Sequence, residues 1–191
     1  MASIRVYHAF RSPYSRLGLH IVSEAGLPVE VIPFTGPPEG VPFQDPVANK
    51  PKRAYYMQDI PRMTMRLGLS ISLPDPFDVD FTEANRALAA AEEGGFGLAY
   101  GLAVSNARWG RGENVSDRAV LERCAEEVGW SAAAVAEAQT SSAVDERLAA
   151  AREAIEKDGV FGVPFAVNGP AKYWGHERFQ LLVEEAVGSQ T

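Results

Sequence analysis

The hydrophobic patterning predicts an α/β fold in which one sheet is interrupted by an all-helical insertion of about a hundred residues. Three observations carry the prediction: strand, helix, strand at the N-terminal end, strand, strand, helix at the C-terminal end, and helical periodicity through most of the residues between. Of the 191 residues, 46% are hydrophobic and 9% aromatic, enough for a sizeable core and too apolar for a disordered chain. The 18 Lys+Arg face 25 Asp+Glu, a formal charge of −7 that excludes a basic nucleic-acid binder.

Ile4, Val6, His8 and Phe10 alternate with Arg5, Tyr7 and Ala9, the period of a strand with a buried face. Ser12-Pro13 then places a capping residue before a proline at the first helical position, so a helix starts there, runs through Leu17, Ile21 and Val22 and stops at Gly26. A second strand covers residues 29–34. The Pro- and Gly-rich segment 35–49 is a loop that marks a domain boundary. Helices are predicted over residues 50–68, 82–93, 96–108, 117–129, 132–138 and 142–157, the last with Val144, Leu148, Ala151 and Ile155 on one face. Pro61 is expected to bend or split the first of these, residues 69–76 to be extended, and 109–114 to form a glycine-rich loop. Strand character returns at residues 163–168, turns at Gly169-Pro170, continues over 171–174, and gives way to a helix from about Glu177 to Val187.

Cys124 has no cysteine to pair with and falls on an apolar helical face with Val120, Leu121 and Val128, as a buried thiol would. No Cys/His spacing of a zinc site occurs, and His8 and His20 lack carboxylate or cysteine neighbours at ligand spacing, so no metal is expected. The N-terminus lacks the basic start and apolar run of an export signal, and nowhere do about 18 apolar residues run uncharged. A reduced, cytoplasmic protein without a membrane span is the expectation.

Three segments carry candidate chemistry. Arg11-Ser12-Pro13-Tyr14-Ser15 opens the first helix, where free N–H groups and the positive end of the dipole favour an anion. In thioredoxin architectures this turn holds Cys-x-x-Cys; Ser12 and Ser15 stand at the two cysteine positions, which removes disulfide exchange. Ser12 either caps the helix or donates a hydrogen bond to a bound thiolate. Gly159-Val160-Phe161-Gly162-Val163-Pro164 leads into the third strand, with Pro164 a candidate cis residue that leaves the Val163 backbone open to an extended ligand, or an ordinary trans proline at a strand end. Tyr173-Trp174-Gly175-His176-Glu177-Arg178 opens the last helix and would suit a carboxylate and an ammonium, or simply complement the helix dipole. Trp109 either lines a pocket or anchors its loop.

Together with Lys52-Arg53-Ala54-Tyr55-Tyr56-Met57-Gln58-Asp59 and Pro74-Asp75-Pro76-Phe77, these segments resemble the glutathione-dependent 2-hydroxychromene-2-carboxylate isomerases, relatives of kappa-class glutathione transferases, over nearly the whole chain. The resemblance implies a thioredoxin-like fold whose glutathione-binding domain is residues 1–40 and 158–191, with 41–157 as the inserted helical domain. It implies that Ser12 is catalytic and hydrogen-bonds the glutathione sulfur, and that Lys52 lies near the glycine carboxylate. Val163, before Pro164, would pair with the cysteinyl part, and His176 and Glu177 would receive the γ-glutamyl end. Asn49 corresponds to a glutathione-binding asparagine, or caps the helix that follows it. A homodimer is implied as well.

The chain departs from the family pattern at Ala9 in place of Asp, Glu177 in place of Asp, which keeps the charge and adds a methylene, Arg16 in place of an aromatic residue, Phe165 in place of Thr, and Asp80 in place of Asn; of these, Arg16 and Phe165 would lie near the pocket of the second substrate. Ser15, Arg16, Trp109 and Phe165 are the residues expected around the pocket for that substrate, an aromatic or unsaturated acid. The implied reaction is cis-trans isomerisation, in which the thiolate adds to an unsaturated carbon, the former double bond rotates, and elimination returns the glutathione. The alternatives are a glutathione transferase, which would release the adduct, and a non-catalytic thioredoxin-like protein that captures extended peptides.

Overall fold

The computed structural model describes residues 4–42 and 48–188. Residues 43–47 of the predicted boundary loop, residues 1–3 of the segment read for an export signal and residues 189–191 of the first predicted domain lie outside the described residues.

Four strands, β1 (Ile4–His8), β2 (Val29–Pro33), β3 (Phe165–Asn168) and β4 (Ala171–Trp174), form one sheet in the order β2-β1-β3-β4. β1 pairs parallel with β2 and antiparallel with β3, and β3 with β4 is an antiparallel hairpin. The α1 helix (Pro13–Glu24) crosses between β1 and β2, and α8 (His176–Gly188) follows β4. Between the two halves run α2 (Lys50–Arg66), α3 (Thr82–Glu93), α4 (Gly97–Arg111), α5 (Arg118–Glu127), α6 (Ala132–Ala138) and α7 (Ser142–Asp158). The α/β thioredoxin-like fold with a helical insertion is therefore present.

The period-two pattern of the strands divides the core. Ile4, Val6, Val31 and Ala166 face one side, where they join Leu19 and Val22 of α1, Phe179 and Leu182 of α8 and, continuously, Leu88, Val104 and Leu121 of the insertion. Tyr7, Ile32, Phe165 and Val167 face the other side and pack on Ala151 and Ile155 of α7. The end of α7 is tied to the sheet by polar bonds: Arg5 donates to both oxygens of Asp158, at 2.8 Å and 3.0 Å, and Tyr7 Oη donates to Oδ2 at 2.5 Å.

Three local expectations are corrected. The split expected at Pro61 does not occur: helix α2 continues from Lys50 to Arg66 with Pro61 inside it, at a half-exposed site. Residues 69–76 form no strand; they belong to an irregular strap over the end of α4, with Ser72 N–H donating to the Trp109 carbonyl (2.9 Å) and Asp75 N–H to that of Gly112 (3.3 Å). Trp109, Gly110 and Arg111 are the last turn of α4 rather than a loop, because the left-handed residue that stops the helix is Gly112 (φ 76°), two residues beyond Gly110.

Candidate functional site

Ser12 occupies the corner between β1 and α1. Its extended backbone (φ −96°, ψ 114°) lets Oγ turn back and accept from Ser15 N–H at 3.2 Å, while its own N–H donates to the Ala9 carbonyl at 3.0 Å. The cap uses only a lone pair of Oγ. The hydroxyl proton remains free to be donated outward, so capping and thiolate stabilisation are compatible roles for one half-buried side chain.

Tyr14, the second residue of α1, joins that corner to two other elements. Its hydroxyl donates to Asp59 Oδ2 of α2 at 2.7 Å, its ring stacks on His176 at the start of α8 (centroids 5.0 Å apart, 14° between planes), and its edge meets Tyr56 of α2 at 5.6 Å. Lys52 reaches the same group, with Nζ 6.0 Å from the Tyr56 ring centre. His176 is buried; Nδ1 lies 3.4 Å from Glu177 Oε2, and Nε2 has no hydrogen-bond partner among the described residues. Burial lowers the His176 pKa, against the upward pull of Glu177 and Asp59. Burial and the bond to Asp59 raise that of Tyr14, so its hydroxyl keeps the proton it donates.

The Val163–Pro164 peptide is cis, as is Asp75–Pro76. Pro164 packs where α1 comes nearest, at Gly18, and its carbonyl accepts from Gly175 N–H at 3.0 Å, which ties it to the start of α8. Val163 makes no backbone-to-backbone hydrogen bond with another described residue, so its N–H and C=O can serve an extended ligand.

Ser12, Lys52, Val163, Pro164, His176 and Glu177 are thus linked through α1, α2 and the start of α8. Of the other candidates, Asn49 and Ser15 adjoin this group through the backbone N–H bonds that link them to Lys52 and Ser12, whereas Arg16, Trp109 and Phe165 are interior. Asn49 is exposed and caps α2, accepting from Lys52 N–H at 3.0 Å. Ser15 is buried, with Oγ unpartnered among the described residues. Arg16 is buried against α4 and the strap, donating to Asn106 Oδ1 and to the Ser70 carbonyl, both at 2.7 Å. Trp109 is buried with Nε1 donating to the Phe10 carbonyl at 2.9 Å, an anchor between α4 and the Ser12 corner. Phe165 is core on the α7 side of the sheet. Cys124 is buried, which pushes its thiol up to about 12.

Sequence reasoning missed Tyr14, Tyr56 and Asp59 as individual residues. A signal existed: Lys52, Tyr56 and Asp59 are spaced four and three apart, one face of a helix.

Comparison with known proteins agrees with the fold. The chain is 30% identical over 172 residues to the Bacillus subtilis (strain 168) uncharacterized protein YwbO, spanning 87% of this chain and 86% of that one. It is 29% identical over 132 residues to a 2-hydroxychromene-2-carboxylate isomerase from Sphingobium xenophagum, spanning 69% and 67%. In fold it is similar to a solved 2-hydroxychromene-2-carboxylate isomerase (TM-score 0.80, 23% identity, 99% and 96% of the two chains). It is also similar to the cytosolic disulfide reductase DsbM from Pseudomonas aeruginosa, solved with GSH (TM-score 0.67, 17% identity, 97% and 99%). Residues 3–186 match the DSBA-like thioredoxin domain, and the chain belongs to that family.

Proposed function

We propose that the protein is a glutathione-dependent isomerase of the 2-hydroxychromene-2-carboxylate isomerase type, acting on an aromatic or unsaturated acid. The observation that carries the reading is the pair of serines, Ser12 and Ser15, at the positions where a disulfide oxidoreductase holds cysteines, set beside a cis Val163–Pro164 peptide in which Val163 makes no backbone hydrogen bond with another described residue. Such a site can hold a thiol but not exchange one. The similarity to an isomerase from Sphingobium xenophagum and to a reductase solved with GSH supports the choice of thiol and of reaction.

Glutathione lies extended along Val163, its glycine carboxylate toward Lys52 and its γ-glutamyl end toward His176 and Glu177. Ser12 donates its proton to the sulfur, and the positive end of α1 favours the thiolate there. The thiolate adds to the unsaturated carbon conjugated to the carbonyl, so that a C–S bond forms and the π electrons move onto the carbonyl oxygen. The former double bond rotates as a single bond; return of the electrons expels the thiolate and restores the double bond in the other geometry. Glutathione is regenerated, and holding it beside the acceptor supplies orientation. A homodimer of cytoplasmic location accompanies this proposal.

Calorimetric titration of glutathione into the wild-type protein and Ser12→Ala, with thiolate absorbance in parallel, tests the reading. Saturable binding is expected in both, with absorbance at neutral pH only in the wild type and turnover lower in Ser12→Ala by about 10²-fold or more. Unchanged turnover would remove Ser12 from the mechanism, and absence of binding would remove glutathione. Free glutathione should stay constant during turnover; its consumption mole for mole would identify a transferase instead.

A further inference from the structure

We propose that Arg108 is the residue that receives the carboxylate of the second substrate, an inference that rests on the reading of the site as one for thiol addition to an unsaturated acid. Arg108 is fully buried in the last turns of α4. Its Nη2 donates to the Phe77 carbonyl at 2.5 Å, but Nε and Nη1 are enclosed and have no acceptor among the described residues. The surroundings offer rings instead, with the guanidinium carbon 4.8 Å from the centre of Phe81 and 5.2 Å from that of Trp109.

A guanidinium is always charged and has five N–H donors, so burying two of its nitrogens without acceptors is costly unless an anion completes the site. Arg16 shows the contrast: equally buried, it donates to Asn106 and to the Ser70 carbonyl. The flanking rings make the place suit a planar acid, whose carboxylate can take both free nitrogens while its unsaturated part lies against Phe81 and Trp109.

Position ties this place to the reacting end of the site. Trp109, the next residue, holds the Phe10 carbonyl two residues before Ser12, and Asp78 of the strap pairs with Arg11, the residue just before Ser12, at 3.6 Å. Both Asp78 and Arg11 lie within electrostatic range of Arg108. Phe77, whose carbonyl takes Nη2, is itself 43% exposed and lies in a strap without regular structure.

The test titrates cinnamate and cinnamamide, which share ring and double bond but differ in charge, into the wild-type protein and Arg108→Gln, with and without glutathione. Cinnamate is expected to bind the wild type about tenfold or more tighter than cinnamamide. That advantage should vanish in Arg108→Gln, whose glutathione affinity stays unchanged. Because the variant replaces a buried charge and can fail to fold, the Arg108 Nε–H resonance is also followed in ¹⁵N-labelled wild type, where cinnamate should shift it and cinnamamide should not. Equal affinities for the two ligands, or a resonance unmoved at saturation, overturn the assignment. Loss of glutathione binding by the wild type overturns the reading beneath it, whereas bound glutathione without a charge preference overturns the role of Arg108 alone.

Discussion

Ser12 and His8 show how a single residue's role depends on what surrounds it. The Ser12 hydroxyl caps α1 with a lone pair and keeps a proton to give, so the cap leaves room for the proposed bond to a thiolate. His8, at the end of β1 beneath that corner, is fully enclosed, with Nε2 3.2 Å from Ser105 Oγ and Nδ1 without a side-chain bond to any described residue. Burial drives its pKa down to about 3, with the Ser15 backbone acting the other way. In the unfolded chain the imidazole takes its proton near 6.5, so below that pH the unfolded state binds more protons and the native state loses stability as pH falls, down to the folded pKa. Between pH 7 and pH 5 the loss from His8 alone should be about 2 kcal/mol. Urea unfolding of wild type and His8→Gln at the two pH values reads it: the wild type should show the steeper fall, and equal slopes would mean that His8 is not held neutral. The sequence marked His8 as a packing or surface residue rather than a ligand. Its enclosure depends on Ser105, 97 positions away, which no local pattern reveals.

At the scale of elements, the approach of α1 to Pro164 and α8 sets the site. A methyl group added at Gly18 would lie 2.9 Å from Phe179 Cε1 and 3.2 Å from Pro164 Cβ, and neither neighbour has room to move, since both are buried. Gly18→Ala should therefore destabilise the protein by about 1–3 kcal/mol. Denaturant unfolding would show this as a lower midpoint with an unchanged slope; a midpoint at or above the wild type would mean that the packing is looser than these distances require. Helix boundaries were largely legible, because caps are local: Ser12, Asn49, Asp117 and Ser141 each accept a backbone N–H at the start of a helix. The end of α4 was misread because Gly110 looks like a stop, whereas its backbone stays helical and Gly112 takes the left-handed conformation. The strap could not be read at all as structure, since its bonds go to the Trp109 and Gly112 carbonyls rather than to its own neighbours.

Across the whole molecule, one apolar cluster runs from Ile4, Val6 and Val31 of the sheet through Leu19 of α1 to Leu88, Val104 and Leu121 of the insertion, so the two parts of the chain share a core. Unfolding should then be a single transition, with calorimetric and van't Hoff enthalpies in a ratio of about 1; two separable endotherms would show the insertion melting independently. The alternation in β1, the Ser-Pro start of α1 and the helical periods between residues 82 and 158 determined the α/β class and the place of the insertion, since each is a local property of the chain. The serines at 12 and 15 likewise excluded disulfide exchange without any structure. Only the tertiary structure decided that Tyr14 joins α1 to Asp59 and His176, that Arg16 and Phe165 are interior, and that Arg108 is enclosed with two nitrogens unmet. Those outcomes rest on contacts between residues tens of positions apart, whose energies come from burial and from partners that the chain brings together only when it is folded.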